Sequence, residues 1–182
     1  MEPGLIEITM PYSGGTMKIF IAVLITLLVQ TLLFLGFIFS GIYNVAADKP
    51  DPAAIIWVLK TVRRNSIRPR ADKVMIPACV KDIPAYAGFR RFHKTCEPCH
   101  GAPGVEQSGF AKGMYPRPPD LMKSVKDLSV KHIFWVIRNG IKTTGMPSFE
   151  KTLTDKELWT LAVSVKHLPV TSPQEYEETI KK

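Results

Sequence analysis

The chain has 182 residues, 46% of them hydrophobic, and a formal net charge of +8. That length excludes two full domains and suits one domain with an appendage. The basic balance admits a nucleic acid, an anionic lipid surface or an acidic protein as partner, but the sequence carries no nucleic-acid-binding motif. Its three cysteines are an odd count that argues against a simple disulfide framework.

Residues 1–18 read as a short N-terminal tail. Met17-Lys18, followed at once by apolar sequence, looks like an ordinary bacterial start. Ser13-Gly14-Gly15 just upstream is what an in-frame ribosome-binding site would encode. Residues 1–16 are therefore either a mis-assigned extension or a short cytoplasmic tail. Ile19 to Ile42 is nearly unbroken apolar sequence without a single charge. As a helix it would be about 36 Å long, enough to cross the roughly 30 Å hydrocarbon core with some tilt. Tyr43 stands where an interfacial aromatic would, so a transmembrane helix is predicted over 19–43. The competing reading is a cleaved signal peptide, with Val45-Ala46-Ala47 as its small-residue site. The run is too long for an ordinary signal core, which favours an anchor.

Residues 44–82 connect the anchor to the C-terminal part of the chain. Pro50 and Pro52 break the first helix, and residues 48–70 hold six Lys or Arg against two Asp. Ile55, Ile56, Val58, Leu59 and Val62 recur at helical spacing with Lys60, Arg63 and Arg64 between them. The pattern predicts a short amphipathic helix lying on the membrane surface; the alternative is a helix packed on the C-terminal domain. Arg68-Pro69-Arg70 and Ile83-Pro84 bracket an irregular linker.

Residues 83–170 read as a small all-α domain, with 171–182 as a C-terminal tail. Three helices are legible in it. The first spans Ala85 to Thr95. The second runs from Val130 to Asn139, with Ser129 as N-cap and Gly140 as stop. The third opens on the capping-box pattern Thr154-Asp155-Lys156-Glu157 and ends before Pro169. No repeat or strand is evident. The loop from Gly101 to Asp127 is long for a compact domain, which marks it as functional.

Cys96-Glu97-Pro98-Cys99-His100 is the decisive motif, because C-x-x-C-H is the attachment signature of c-type haem. Two thiols add to the two vinyl groups of the porphyrin, and the histidine directly after them brings its imidazole to the iron. A zinc site would need four ligands, and no second Cys/His pair lies at suitable spacing. A thioredoxin-like pair would need a βαβ context, which is missing. Met146, in Thr144-Gly145-Met146-Pro147, is the candidate sixth ligand. A thioether is soft, His/Met ligation raises the potential of the iron, and filling both axial positions suits electron transfer better than substrate binding. Its rivals are Met114, Met122, His132 and His167. Tyr115 and Trp135 are candidates to pack on the ring, and Arg138 to pair with a propionate. Cys79 is a lone thiol, either inert or available for an intermolecular disulfide.

From Ala85 to Pro169 the chain resembles a class I c-type cytochrome domain. Gly88 and Phe92 lie eight and four residues before Cys96, where that family places the glycine and aromatic that meet its last helix. Trp159, Leu161, Val165 and Leu168 offer the matching face. The family often has an aromatic near position 164, where this chain has Ser164; Trp159 is the expected substitute. The resemblance also implies that a proline carbonyl accepts the proton of the proximal imidazole, with Pro116 or Pro118 as candidates. Together with the single anchor, it points to bacterial membrane-bound monohaem cytochromes, in which His100 and Met146 are the axial ligands.

The positive-inside rule opposes this topology, since Lys18 alone precedes the span while Lys49, Lys60, Arg63 and Arg64 come after it. Haem attachment to C-x-x-C-H in bacteria takes place outside the inner membrane, as the resemblance implies. Covalent chemistry outranks a charge bias, and the domain is expected on the periplasmic side. The expected function is shuttling of single electrons between respiratory or dehydrogenase partners, with no small-molecule substrate. The alternatives are a haem subunit of a membrane oxidoreductase complex, with a peroxidase-like site from which Met146 dissociates, or a sensor. Arg90, Arg91, Lys94, Lys112 and Arg117 would steer an acidic partner.

Overall fold

The computed structural model describes residues 14–182, so the reading of residues 1–16 falls almost wholly outside it. The chain forms two compact units, one ending at Val45 and the other spanning Ala46–Lys182. Among the described residues all regular structure is helical apart from a single bridge between Ala102 and Val105.

The first unit holds helix α1, Gly14–Phe39. It carries no charged residue after Lys18, and its side chains are exposed along its length. Its hydroxyls are satisfied within the helix: Thr26 donates to the Ala22 carbonyl and Thr31 to that of Leu27, each at 2.8 Å. That back-bonding satisfies each hydroxyl without an outside partner. The helix stops earlier than predicted. Gly41 turns left-handed at φ +66°, and Ser40 Oγ donates to the Phe37 carbonyl, so Ile42 and Tyr43 lie beyond the helix.

The second unit begins with α2, Ala53–Asp72, which runs straight through Pro69 where an irregular linker was expected. Pro69 costs the helix one donor only in its last turn. Arg70 Nη1 reaches back to the Ser66 carbonyl at 2.7 Å, and Ala71 is fully buried. After two 3₁₀ turns, Ala78–Asp82 and Ala85–Gly88, come α3 (Phe89–Thr95) and α4 (Glu97–His100). The long loop holds two single-turn helices, α5 (Gly109–Lys112) and α6 (Leu121–Ser124). The chain ends in α7 (Val130–Asn139), α8 (Asp155–His167) and α9 (Pro173–Lys181).

Helices α7 and α8 have the predicted bounds, and the capping box is formed. Thr154 Oγ1 accepts from the Glu157 amide, and Glu157 Oε2 accepts from the Thr154 amide at 2.9 Å. That amide bond, and then the Thr154 hydroxyl, hold the Glu157 carboxyl below its ordinary range. Helix α2 packs on α7, α7 on α8, and α8 on the turn at Ala85–Gly88.

This last crossing depends on Gly88. Its amide donates to Ser164 Oγ at 2.9 Å, and a Cβ there would stand 2.7 Å from that oxygen and 3.0 Å from the Thr160 carbonyl. Ser164 thus serves the crossing as a hydrogen-bond acceptor, where an aromatic was expected. Trp159 does not supply the missing bulk: it stacks on Phe134 with ring centroids 3.9 Å apart. Tyr176 of α9, 1% exposed, packs on α3, against Phe89 at 5.3 Å and Phe92 at 6.4 Å. Residues 171–182 are therefore not a loose tail. Gly88→Ala should push α8 away and cost about 1–3 kcal/mol. A lower denaturation midpoint with an unchanged visible spectrum is the expected result.

Candidate haem site

Helix α3 delivers the chain to the motif. Phe92, fully buried, accepts the Cys96 amide through its carbonyl, and the turn then closes as His100 N bonds to the Cys96 carbonyl at 2.9 Å. Gly101 leaves this turn at φ +71°, and a Cβ there would lie 2.8 Å from the Val105 carbonyl. Only glycine fits a left-handed position that close to another strand of backbone.

Both motif cysteines are free thiols; Cys96 is buried and Cys99 half-buried. Burial, and then the neighbouring Cys99, push the Cys96 thiol up to about 12. The two sulfurs are thus close enough to influence each other. His100 Nδ1 lies 2.9 Å from the Pro119 carbonyl oxygen. A carbonyl only accepts, so Nδ1 carries the proton and Nε2 presents its lone pair. Burial lowers the His100 pKa, partly offset by this bond, which keeps the imidazole in the neutral form that ligates iron. The donor set fits a haem: two unpaired thiols and one oriented imidazole in a single turn.

The carbonyl is that of Pro119, not of Pro116 or Pro118. The Pro118 carbonyl is already used, accepting from Gln107 Nε2 at 2.7 Å, while Gln107 Oε1 accepts from Arg117 Nε at 2.8 Å. Gln107, a residue that the sequence pattern did not single out, therefore sets the register of the proline loop. Asp120 caps the next turn through the Met122 amide at 2.9 Å. A concavity of about 830 Å³ opens beside His100, lined by Gly101 to Gln107, Pro118, Asp120 and Met122. It lies along the proline loop, and neither cysteine nor Met146 lines it.

Met146 is half-buried against the core. Its loop is pinned to the end of α7: Ile141 N donates to the Met146 carbonyl at 3.1 Å, Phe149 N to that of Ile137, and Ser148 Oγ to that of Arg138. Gly140 makes this possible, since a Cβ there would stand 2.6 Å from the Pro147 carbonyl carbon. Thr143 takes φ +62° in the same loop, an uncommon value for a β-branched residue.

Among the rivals, Met114 presses its methyl against Gly145, where a Cβ would collide with it, and Met122 faces the concavity. His132 is half-buried on α7, and His167 is exposed at the end of α8. The Tyr115 hydroxyl oxygen accepts from the Asp51 amide at 3.0 Å, and Trp135 is half-buried on α7. Arg138 pairs with Glu150 at 3.0 Å and Asp155 at 3.6 Å. Arg90, Arg91, Lys94, Lys112 and Arg117 are all exposed, and two of them are paired: Arg91 with Glu157 at 2.5 Å and Lys112 with Glu106 at 2.6 Å.

Glu97, the first variable residue of the motif, is a further member that sequence reasoning missed. Its side chain is only 12% exposed, and Oε2 receives the Tyr176 hydroxyl at 2.7 Å and lies 2.8 Å from His93 Nδ1. Burial, and then this carboxylate, raise the Tyr176 phenol far above its ordinary range.

Residues 84–163 match the family model described as cytochrome C oxidase, cbb3-type, subunit III. No match was found among curated proteins or solved structures. The matched segment covers just under half of the chain and contains the C-x-x-C-H turn, the Pro119 carbonyl and the Met146 loop. Residues 84–163 are a class I c-type cytochrome domain with one covalently bound haem c, a domain whose chemistry is haem-based electron transfer.

Proposed function

We propose that this protein is a membrane-anchored monohaem electron carrier of the bacterial periplasm. In this reading α1 crosses the inner membrane once, and the haem domain exchanges single electrons with respiratory or dehydrogenase partners on the outer side. His100 and Met146 are the two axial ligands. The haem supplies a one-electron Fe(III)/Fe(II) couple whose potential is set by its ligands and surroundings. The chain's own contribution is to hold those surroundings still.

The observation that carries the reading is the bond from His100 Nδ1 to the Pro119 carbonyl, which frees Nε2 and fixes the ring. Met146 supports it, because its carbonyl accepts from Ile141 and the residues just after it, Ser148 and Phe149, bond to α7, which holds its backbone in one place. A pinned ligand loop reduces rearrangement between redox states. Met146→Ala should leave the haem attached but open the sixth position. The expected results are loss of the methionine–iron charge-transfer band of the oxidised protein, a lower reduction potential, and new carbon monoxide binding by the reduced protein. Survival of that band would exclude Met146. Carbon monoxide binding by the unaltered protein would favour the peroxidase-like alternative.

A second reading is favoured by the family match, whose description is of an oxidase subunit: the chain works inside a membrane oxidoreductase complex. Mild detergent extraction decides between them. A free carrier migrates alone, and a subunit brings the same partners in fixed proportion.

A further inference from the structure

Helix α2 has two faces, and the fold uses one of them. The helix packs on α7, with Ile55, Ile56 and Ile67 half-buried and Ala71 fully buried. Elsewhere on its surface Trp57 is 68%, Val58 46% and Val62 60% exposed. Val58 and Val62 are neighbours one turn apart, and Trp57 lies in line with Lys60 and Arg64. Arg64 and Arg68 repeat at the same spacing, and Lys60, Arg64 and Arg68 are exposed. An indole and three cations on one stripe of the helix, with the two valines exposed on its flank, match the apolar boundary and the anionic headgroups of a lipid surface.

We infer that this outward face of α2 docks the haem domain onto an anionic bilayer surface. The inference rests on the reading of α1 as an anchor. Thirteen residues separate Phe39 from Ala53, so an anchored chain keeps α2 within about 50 Å of the bilayer even when fully extended, and the local lipid concentration is high. Docking has a consequence for electron transfer because α2 is fixed to the domain at both ends. The Asp51 amide just before it donates to the Tyr115 hydroxyl, in the loop that carries Pro119. At its far end Lys131 Nζ of α7 donates to the Asp72 carbonyl at 3.0 Å and pairs with the Asp72 carboxylate at 3.3 Å. A lipid-bound α2 therefore holds the whole domain, and the loop beside His100, in one orientation toward the membrane.

The test uses full-length holoprotein in vesicles of phosphatidylcholine with phosphatidylglycerol, read by quenching of tryptophan fluorescence by brominated lipid. The bromines should quench Trp57, and Trp57→Phe should remove the quenchable component. Lys60→Glu/Arg64→Glu/Arg68→Glu should cut the docked fraction by roughly ten-fold or more, as should vesicles of phosphatidylcholine alone. Absence of a Trp57 component in the anionic vesicles overturns the inference and leaves the face to a protein partner. Equal quenching in neutral vesicles overturns the electrostatic half of it. Alkaline carbonate extraction reads the anchor separately: release of the protein would remove the anchor while Trp57 quenching still upheld the docking.

Discussion

Cys96→Ala/Cys99→Ala should carry no covalent haem at all, while either single substitution keeps one thioether. The readout is haem-dependent staining on a denaturing gel. The loss in the double variant follows from geometry as much as from chemistry. Cys96 is 8% exposed and belongs to the same buried cluster as Phe89, Phe92 and Trp159, so the attachment turn is part of the core. The third thiol cannot substitute. Cys79 is exposed on a separate turn, Ala78–Asp82, seventeen residues before Cys96 and without a histidine beside it. A stained band in the double variant would overturn the attachment assignment, and a stained band lost only on adding Cys79→Ala would move it. The variant is also expected to accumulate poorly, since a domain this small depends on its cofactor to complete the interior.

The parts of this fold that were legible beforehand are those encoded locally. Thr154 and Glu157 form a reciprocal cap within four residues, and Gly140 stops α7 because the backbone of Pro147 leaves no room for a side chain. The C-x-x-C-H turn is local too, its spacing set by the porphyrin. What was not legible depends on tertiary context. Pro116 and Pro118 were the candidate acceptors for His100, but Gln107 engages the Pro118 carbonyl and that of Pro119 faces the imidazole. Pro69 reads as a helix breaker, yet α2 continues because burial of Ala71 outweighs one lost donor near its end. The ion pairs of Arg138 were not legible because its partners, Glu150 and Asp155, come from the far side of the Met146 loop. The role of Ser164 is visible only once the Gly88 amide is seen to donate to it, and the packing of Tyr176 on Phe89 only once α9 is in place.

Helix α9 did leave a signal, and it leads to the second large effect. Ser172-Pro173-Gln174-Glu175 is a cap with proline at the first helical position, and Tyr176 and Ile180 then recur one turn apart. Ser172 Oγ accepts the Glu175 amide at 3.1 Å, and both apolar residues pack on the core. The helix lies beyond the matched segment 84–163, yet it completes the site. Tyr176 covers Phe89 and Phe92 on one side and donates to Glu97, inside the attachment turn, on the other. Tyr176→Ala should therefore cost about 3–5 kcal/mol, the range for removing a buried aromatic and leaving a cavity. Tyr176→Phe keeps the packing and deletes only the bond to a shielded carboxylate, for which about 1–3 kcal/mol is expected. Denaturation of the holoprotein, monitored at once by circular dichroism and by haem absorbance, separates the two contributions. With the thioethers intact, neither variant should lose haem. The two transitions should remain coincident and move together to lower denaturant. An unchanged midpoint in Tyr176→Ala would mean that α9 is dispensable and that the cytochrome core ends near Pro169. A large shift would place the C-terminal helix within the haem domain, with Glu97 as the residue through which it grips the attachment turn.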